Sequence, residues 1–271
     1  MASEIKSLAF AAAILLAAAP AQAHDFWIEP STFHPTPGAI VSVALRVGQD
    51  FIGDPVPRSS AFIAAFSARQ NGKDQDIGGA DHIDPAGLLL ADGGATATIS
   101  YASTGAYIEL PPGEFEDYLR RYGLDDIIVS RTERGERSKL GRERFYRYAK
   151  ALIAGREPSD DVTRPLGLAY EIVPDDDPTS RFEPFRGHVL YEGKPLANAL
   201  VVALLHGQPT VHIETHSDAR GAIMLPLPCP GIWLIKSVHM VRASFFANED
   251  WDSSWSSLTF EMPEPETKAK P

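Results

Sequence analysis

The chain is poor in cysteine and has no long apolar run beyond its N-terminus. Cys229 is the one cysteine in 271 residues, so no disulfide can form within the chain and cysteine-rich zinc or iron–sulfur sites are excluded. We expect the thiol of Cys229 to be unpaired. A membrane-spanning helix needs about 20 apolar residues, and no stretch after residue 23 approaches that length. We therefore expect a mature chain without a transmembrane segment.

Basic charge is also scarce. Lys and Arg number 25 against 36 Asp and Glu, for a net charge of −11. Binding to a phosphate backbone needs clustered basic charge, so we expect no nucleic-acid partner. The sequence has no P-loop, GxGxxG, nucleophile elbow or helical HExxH motif, and no convincing Ser–His–Asp signal. We predict that the protein is not an enzyme.

The N-terminus has the pattern of a signal peptide. Lys6 is followed by the apolar run LAFAAAILLAAA, and Ala21 and Ala23 supply the small residues of a cleavage site. We predict a signal peptide over residues 1–23, cleavage after Ala23 and a periplasmic location.

This cleavage would leave His24 as the first residue. Its free α-amine and its imidazole could then bind one metal ion, and nitrogen ligands of these kinds suit copper, nickel and zinc. Asp25 would add an oxygen. The alternative is that a histidine is first only by chance.

Short alternating segments predict a mainly β fold. Val41, Val43 and Leu45 lie on one face of a half-buried strand, and further strands follow up to residue 111. A second run of short, regularly spaced strands fills residues 166–262. We predict two Ig-like β-sandwiches, at 24–111 and 166–262. Residues 263–271 are rich in proline and charge, and we predict a disordered tail.

Residues 112–165 are predicted to form a small helical insertion between the sandwiches. Phe115, Tyr118, Leu119 and Tyr122 have helical spacing within residues 113–123. A longer helix is predicted from about Glu136 to Ala154, with an apolar stripe of Leu140, Phe145, Tyr148 and Leu152. Its basic outer face is interpreted as solvated, with an anion or partner site as the alternative.

Two groups in the second sandwich could carry chemistry. His212, Glu214 and His216 share one strand face at a spacing of about 6.6 Å, which suits either a metal site or an ordinary solvent face. His239 ends a strand on the face of Trp233, where it is either a core residue or a further imidazole for the N-terminal metal site.

Trp251 and Trp255 lie four residues apart in the last predicted strand, around Asp252. We interpret the two indoles as core or interdomain packing. The alternative is that they line a pocket.

Several segments together resemble a known family. The segments are HDFWIEPSTFHPTPG, LRVGQDFIGDPVPR, YIELPPGEFEDYLRRYGL, LYEGKPLANALV and PGIWLIKSVHM with WDSSWSSLTFE. They resemble an exported bacterial family of unknown function whose members are commonly described as periplasmic components of nickel or cobalt transport systems. This resemblance implies a role with a divalent metal such as nickel or cobalt, and a partner such as an inner-membrane metal transporter or another envelope protein. Copper is a candidate from the nitrogen ligands instead. Its pattern includes His24 and His239.

The second sandwich also resembles the transthyretin-like or carboxypeptidase-regulatory module, which is usually non-catalytic. Two main hypotheses follow. The first is a periplasmic transition-metal carrier that uses His24, His239 and Asp25. The second is a non-catalytic interaction or structural β-sandwich module, and a metalloenzyme that uses the same histidines is a third.

Overall fold

The computed structural model describes residues 24–265; the predicted signal peptide, its cleavage site and residues 266–271 of the predicted tail lie outside these residues. The described chain is mainly β, as predicted. Its strands are β1 (Asp25–Pro30), β2 (Ile40–Gln49), β3 (Ile52–Pro55), β4 (Ile63–Gln70), β5 (Lys73–Asp76), β6 (Gly87–Leu90), β7 (Ala97–Ser103), β8 (Ala106–Leu110), β9 (Gly141–Ile153), β10 (Tyr170–Pro174), β11 (Phe185–Tyr191), β12 (Lys194–Pro195), β13 (Leu200–Leu205), β14 (Gln208–His216), β15 (Ala222–Leu225), β16 (Gly231–Arg242) and β17 (Trp251–Met262). The helices are α1 (Pro112–Arg121) and α2 (Asp125–Glu133).

The strands form one large sheet and two small ones. The central sheet has nine strands in the order β14-β13-β16-β17-β9-β7-β4-β5, with β8 paired to β9. Sheet A contains β1, β2, β3 and β6, and sheet D contains β10, β11, β12 and β15. Strand β9 pairs antiparallel with β7 and parallel with β17, so it joins the strands of the two predicted sandwiches into one sheet.

The two small sheets pack against opposite faces of the central sheet. On β9, Ala149, Ala151 and Ile153 pack with sheet A, whereas Leu152 packs with sheet D. Alternate residues of a strand point to opposite faces, so this division places one sheet on each side. The structure is therefore two β-sandwiches that share a central sheet, with α1 and α2 on the face that also carries sheet A.

Helix α1 confirms the first helical prediction. Pro112 occupies its first turn, Glu114 is acidic near its start, and Arg120 and Arg121 are basic near its end, an arrangement that suits the helix dipole. Phe115 and Leu119 are completely buried, in a cluster that includes Trp251 and Trp255. The interpretation of these two tryptophans as core packing is thus confirmed.

The predicted second helix from Glu136 to Ala154 is wrong. Residues 141–153 form strand β9, and the second helix is α2, which precedes it. Phe145, Tyr148 and Leu152 have the spacing of a helical stripe. However, β9 is covered on both faces, so apolar residues are needed at odd and at even positions of the strand. The basic residues are not all solvated either, because Lys150 is buried against Glu171 at 2.9 Å. No helix in residues 24–265 is long and apolar enough to cross a membrane.

Candidate ligand-binding cavity

Asp25, a predicted metal ligand, is already engaged. It is buried at the start of β1, and its Oδ2 lies 2.5 Å from the ammonium of Lys236 on β16. Its Oδ1 accepts a hydrogen bond from the hydroxyl of Tyr122 at 3.4 Å. The carboxylate of Asp25 therefore ties β1 to the central sheet and to the end of α1.

His239 lies on the other face of that sheet. Its ring is 4.5 Å from the ring of Tyr191 and 6.0 Å from that of Tyr170, both from sheet D. Residues 236 and 239 of one strand are an odd number apart, so their side chains point to opposite faces. Burial lowers the pKa of His239, which fits an imidazole packed among aromatic rings.

The predicted set of His24, Asp25 and His239 does not fit a single metal ion. The half-buried His24 precedes Asp25 on the face of sheet A, with the central sheet between Asp25 and His239. Within residues 24–265, no group of three His, Cys, Asp or Glu side chains is arranged to hold a metal ion. Metal binding by the free α-amine of His24 after cleavage stays a prediction.

The histidines of β14 occupy a solvent face. His212, Glu214 and His216 are exposed, whereas the intervening residues are half-buried, so the predicted alternation is confirmed. The imidazole of His212 lies 2.9 Å from the carboxylate of Glu214. β14 is at the edge of the central sheet, which makes this an ordinary polar strand face.

A cavity of about 500 Å³ lies at one end of the sandwich that sheet A forms with the central sheet. Its aromatic walls are Phe26 of β1, Tyr101 of β7, Phe145 of β9 and Phe62, the last residue of a short 3-10 helix (Ser60–Phe62). Phe26 and Tyr101 contact each other with ring centroids 5.0 Å apart. A concave, mainly apolar site with a few polar groups is typical of small-molecule binding.

Arg147 on β9 is one of two arginines that line this cavity. Its guanidinium stacks between Phe26 and Phe145, at 5.0 Å and 5.1 Å from the ring centroids. It has no hydrogen bond or ion pair to any described residue, and its Nε is fully enclosed without a partner. Burial lowers the pKa of Arg147 to about 10, so the group is still charged at neutral pH.

Arg58 also lines the cavity and holds two neighbouring loops together. Its Nη1 donates to the backbone oxygens of Ile77 and Ala86 at 3.0 Å and 2.9 Å. These bonds hold residues 56–62 against the loop before β6. The guanidinium of Arg58 therefore has backbone partners that Arg147 lacks.

The other polar groups of the cavity are few. The hydroxyl of Tyr101 donates to the backbone oxygen of Phe62 at 3.2 Å, and burial raises the pKa of Tyr101. Ser59, Ser103 and His82 complete the polar lining. Among the described residues, no Asp or Glu lines this cavity, although acidic residues outnumber basic ones in the chain.

Sequence reasoning missed the cavity because it misread β9. If residues 141–153 are read as a strand, Phe145, Arg147 and Ala149 share one face, and an arginine between an aromatic and a small apolar residue stands out. Phe26 is in the HDFW segment that the sequence analysis singled out for a different reason. The contact between β1 and β9 could not be predicted, because more than a hundred residues separate them.

Comparisons with known proteins add a family and no function. A family model described as "Domain of unknown function (DUF4198)" matches residues 21–241. No curated protein matches the chain. One solved structure, the D0-D1 domain of Intimin, is similar at 12% identity over 87% of this chain and 97% of that chain, with a TM-score of 0.19. A similarity of that size carries no argument here.

Proposed function

Since the chain belongs to the DUF4198 family, a family of unknown function, we propose a function from its own geometry: an exported, non-catalytic protein that binds a small molecule in the cavity around Arg147. One observation carries the proposal. A charged guanidinium lines an aromatic cavity of about 500 Å³ and has no hydrogen bond or ion pair to the part of the chain that the structure describes. Burying an unpaired charge is costly, and a bound ligand would offset that cost.

The non-catalytic part of the proposal follows from the groups in the cavity. The hydroxyl of Tyr101 donates a hydrogen bond to the backbone oxygen of Phe62, and its raised pKa keeps the phenol protonated near neutral pH, so it cannot accept a proton. Arg147 with a pKa of about 10 is a fixed charge near neutral pH. These groups suit recognition of a ligand rather than proton transfer.

A cavity-filling variant tests the proposal. We would screen a fragment library by ligand-observed NMR against the wild type and against Ala106→Phe, because Ala106 lines the cavity. Fragments that bind the wild type should lose binding in Ala106→Phe. The matched control is Leu88→Phe, an exposed leucine on β6 that does not line the cavity. Equal binding to Ala106→Phe would place the fragments elsewhere, and no binding at all would favour a purely structural module.

Export and metal binding stay predictions with their own experiments. Mass spectrometry of protein recovered from the periplasm would show whether His24 is the first residue. Titration of that protein with copper and nickel, compared with His24→Ala, would then test the predicted N-terminal metal site. The nickel or cobalt transport role and its membrane partner rest on the sequence resemblance alone.

A further inference from the structure

The chemistry of the cavity around Arg147 narrows the class of ligand. We propose that the cavity binds a small aromatic carboxylate, whose carboxylate pairs with Arg147 and whose ring lies between the aromatic walls. This inference rests on the proposed function, because it requires that the cavity is a binding site.

The sign of the ligand charge follows from the lining residues. Arg147, Arg58 and His82 line the cavity, and no acidic side chain of residues 24–265 does. The carboxylate of Asp25 acts electrostatically on Arg147 and raises its pKa, but its Oδ2 is paired with Lys236 at 2.5 Å. A cation would therefore meet only like charge, whereas an anion would meet an unpaired guanidinium.

The atoms of Arg147 that a ligand can reach favour a planar anion. Nε is enclosed, whereas the two Nη atoms are not enclosed and have no hydrogen bond to residues 24–265, so they are the donors open to a ligand. Two Nη–H groups of a guanidinium match the two oxygens of a carboxylate. Phosphate would bring a second charge into a cavity with one unpaired guanidinium, at a further desolvation cost.

The shape of the ligand follows from the walls. Phe26, Phe62, Tyr101 and Phe145 surround the space next to Arg147, and aromatic rings pack favourably edge-to-face or offset on such walls. Phe26 and Phe145 already enclose the guanidinium from two sides, so an anion there would be in an apolar environment that strengthens its ion pair. A cavity of about 500 Å³ is in the range of sites for small molecules.

Isothermal titration calorimetry with matched probes tests this class on the purified full chain. The probes are benzoate, phenylacetate and 3-phenylpropionate, each with its primary amide, which keeps the shape and removes the charge. We expect at least one acid to bind about tenfold or more tightly than its amide. The same acid should lose about tenfold or more in affinity for Arg147→Met, but not for Arg181→Met, a control at an exposed arginine. Inorganic phosphate, tested alone, should bind more weakly than that acid.

The outcomes separate the ligand class from the proposed function. If amides bind as well as acids, or Arg147→Met binds the acid normally, the carboxylate proposal is wrong, and the proposed function is not affected by that result. Tighter binding of phosphate than of every carboxylate would also overturn it. No binding by any acid or amide overturns the carboxylate class, and the fragment screen with Ala106→Phe decides separately whether the cavity binds anything. The comparison of acid with amide on the wild type holds even if Arg147→Met fails to fold.

Discussion

Glu143 is a buried carboxyl group on β9 whose surroundings favour its neutral form. The hydroxyl of Tyr118 donates to its Oε1 at 3.0 Å, and Ser253 also donates to Oε1. Trp255 donates to Ser253 at 3.0 Å, while Oε2 of Glu143 has no hydrogen-bond partner within residues 24–265. Burial is the largest cause of the shift and raises the pKa of Glu143 from 4.5 to about 7, against the lowering effect of these donors.

The first prediction is that Glu143→Gln raises the free energy of unfolding, relative to wild type, more at high pH than at low pH. A carboxyl group with a raised pKa in the folded state stabilises the fold below its ordinary pKa and loses that contribution as pH rises through about 7. The difference in unfolding free energy between Glu143→Gln and wild type should therefore shift in favour of the variant between pH 5 and pH 9. The shift should be up to about 3 kcal/mol, at about 1.4 kcal/mol per pKa unit. Urea unfolding at both pH values measures this, with the exposed Glu183→Gln as the control. An equal effect of Glu143→Gln at both pH values would contradict it.

The pair of Asp25 and Lys236 gives a second prediction at the residue scale. Removing one member of a buried pair leaves an uncompensated charge, which costs about 3–5 kcal/mol. Asp25→Asn and Lys236→Met should each lower the unfolding free energy, and the double variant should lose clearly less than the sum. A double-mutant cycle by chemical denaturation measures this coupling. Additive losses would mean that the 2.5 Å contact contributes nothing to stability.

At the scale of elements, α1 and β9 show which patterns could be predicted. The helical spacing of Phe115, Tyr118 and Leu119 identified α1, because a surface helix buries one stripe and exposes the rest. β9 has no such contrast between a buried and an exposed face, because it is covered on both faces. Its mixture of Arg, Tyr and Ala fits the periodicity of a helix as well as that of a strand. Its parallel partner β17 begins about a hundred residues later in the chain, a pairing that no local pattern indicates.

The lack of a local signal for long-range contacts also explains why the sequence predicted a metal site that the structure does not bring together. The alternation of β16 showed that His239 shares a face with Trp233, and this is how the strand lies. The sequence could not indicate that sheet A covers one face of β16 and sheet D the other. His239 therefore packs on the tyrosines of sheet D, while Asp25 meets Lys236 on the opposite face.

The contact of α1 with β9 gives a third prediction. A Cβ added at Gly141 would lie 2.2 Å from Cγ of the Phe115 ring, and Phe115 is completely buried. Gly141→Ala should therefore cost about 1–3 kcal/mol through overpacking. Gly113→Ala in α1 is the matched control, because a Cβ there meets nothing within 4 Å and alanine favours a helix by up to about 1 kcal/mol. Chemical denaturation should show opposite signs for the two variants, and a neutral Gly141→Ala would argue against this packing.

At the scale of the whole molecule, the central sheet connects the two sandwiches. β9 makes one antiparallel pairing towards the N-terminal strands and one parallel pairing with β17. It also supplies residues to the cores on both of its faces. Loss of either sandwich would expose one face or one edge of β9, so the two halves should unfold together.

The fourth prediction is therefore a single unfolding transition. Leu45 belongs to the core beneath sheet A and Leu225 to the core beneath sheet D, and both are buried. Leu45→Ala and Leu225→Ala should each cost about 2–5 kcal/mol, and each should move the same calorimetric transition. Two transitions, of which each variant moves only one, would show that the sandwiches fold independently. In that case, the parallel pairing of β9 with β17 would contribute little to the cooperativity of the fold.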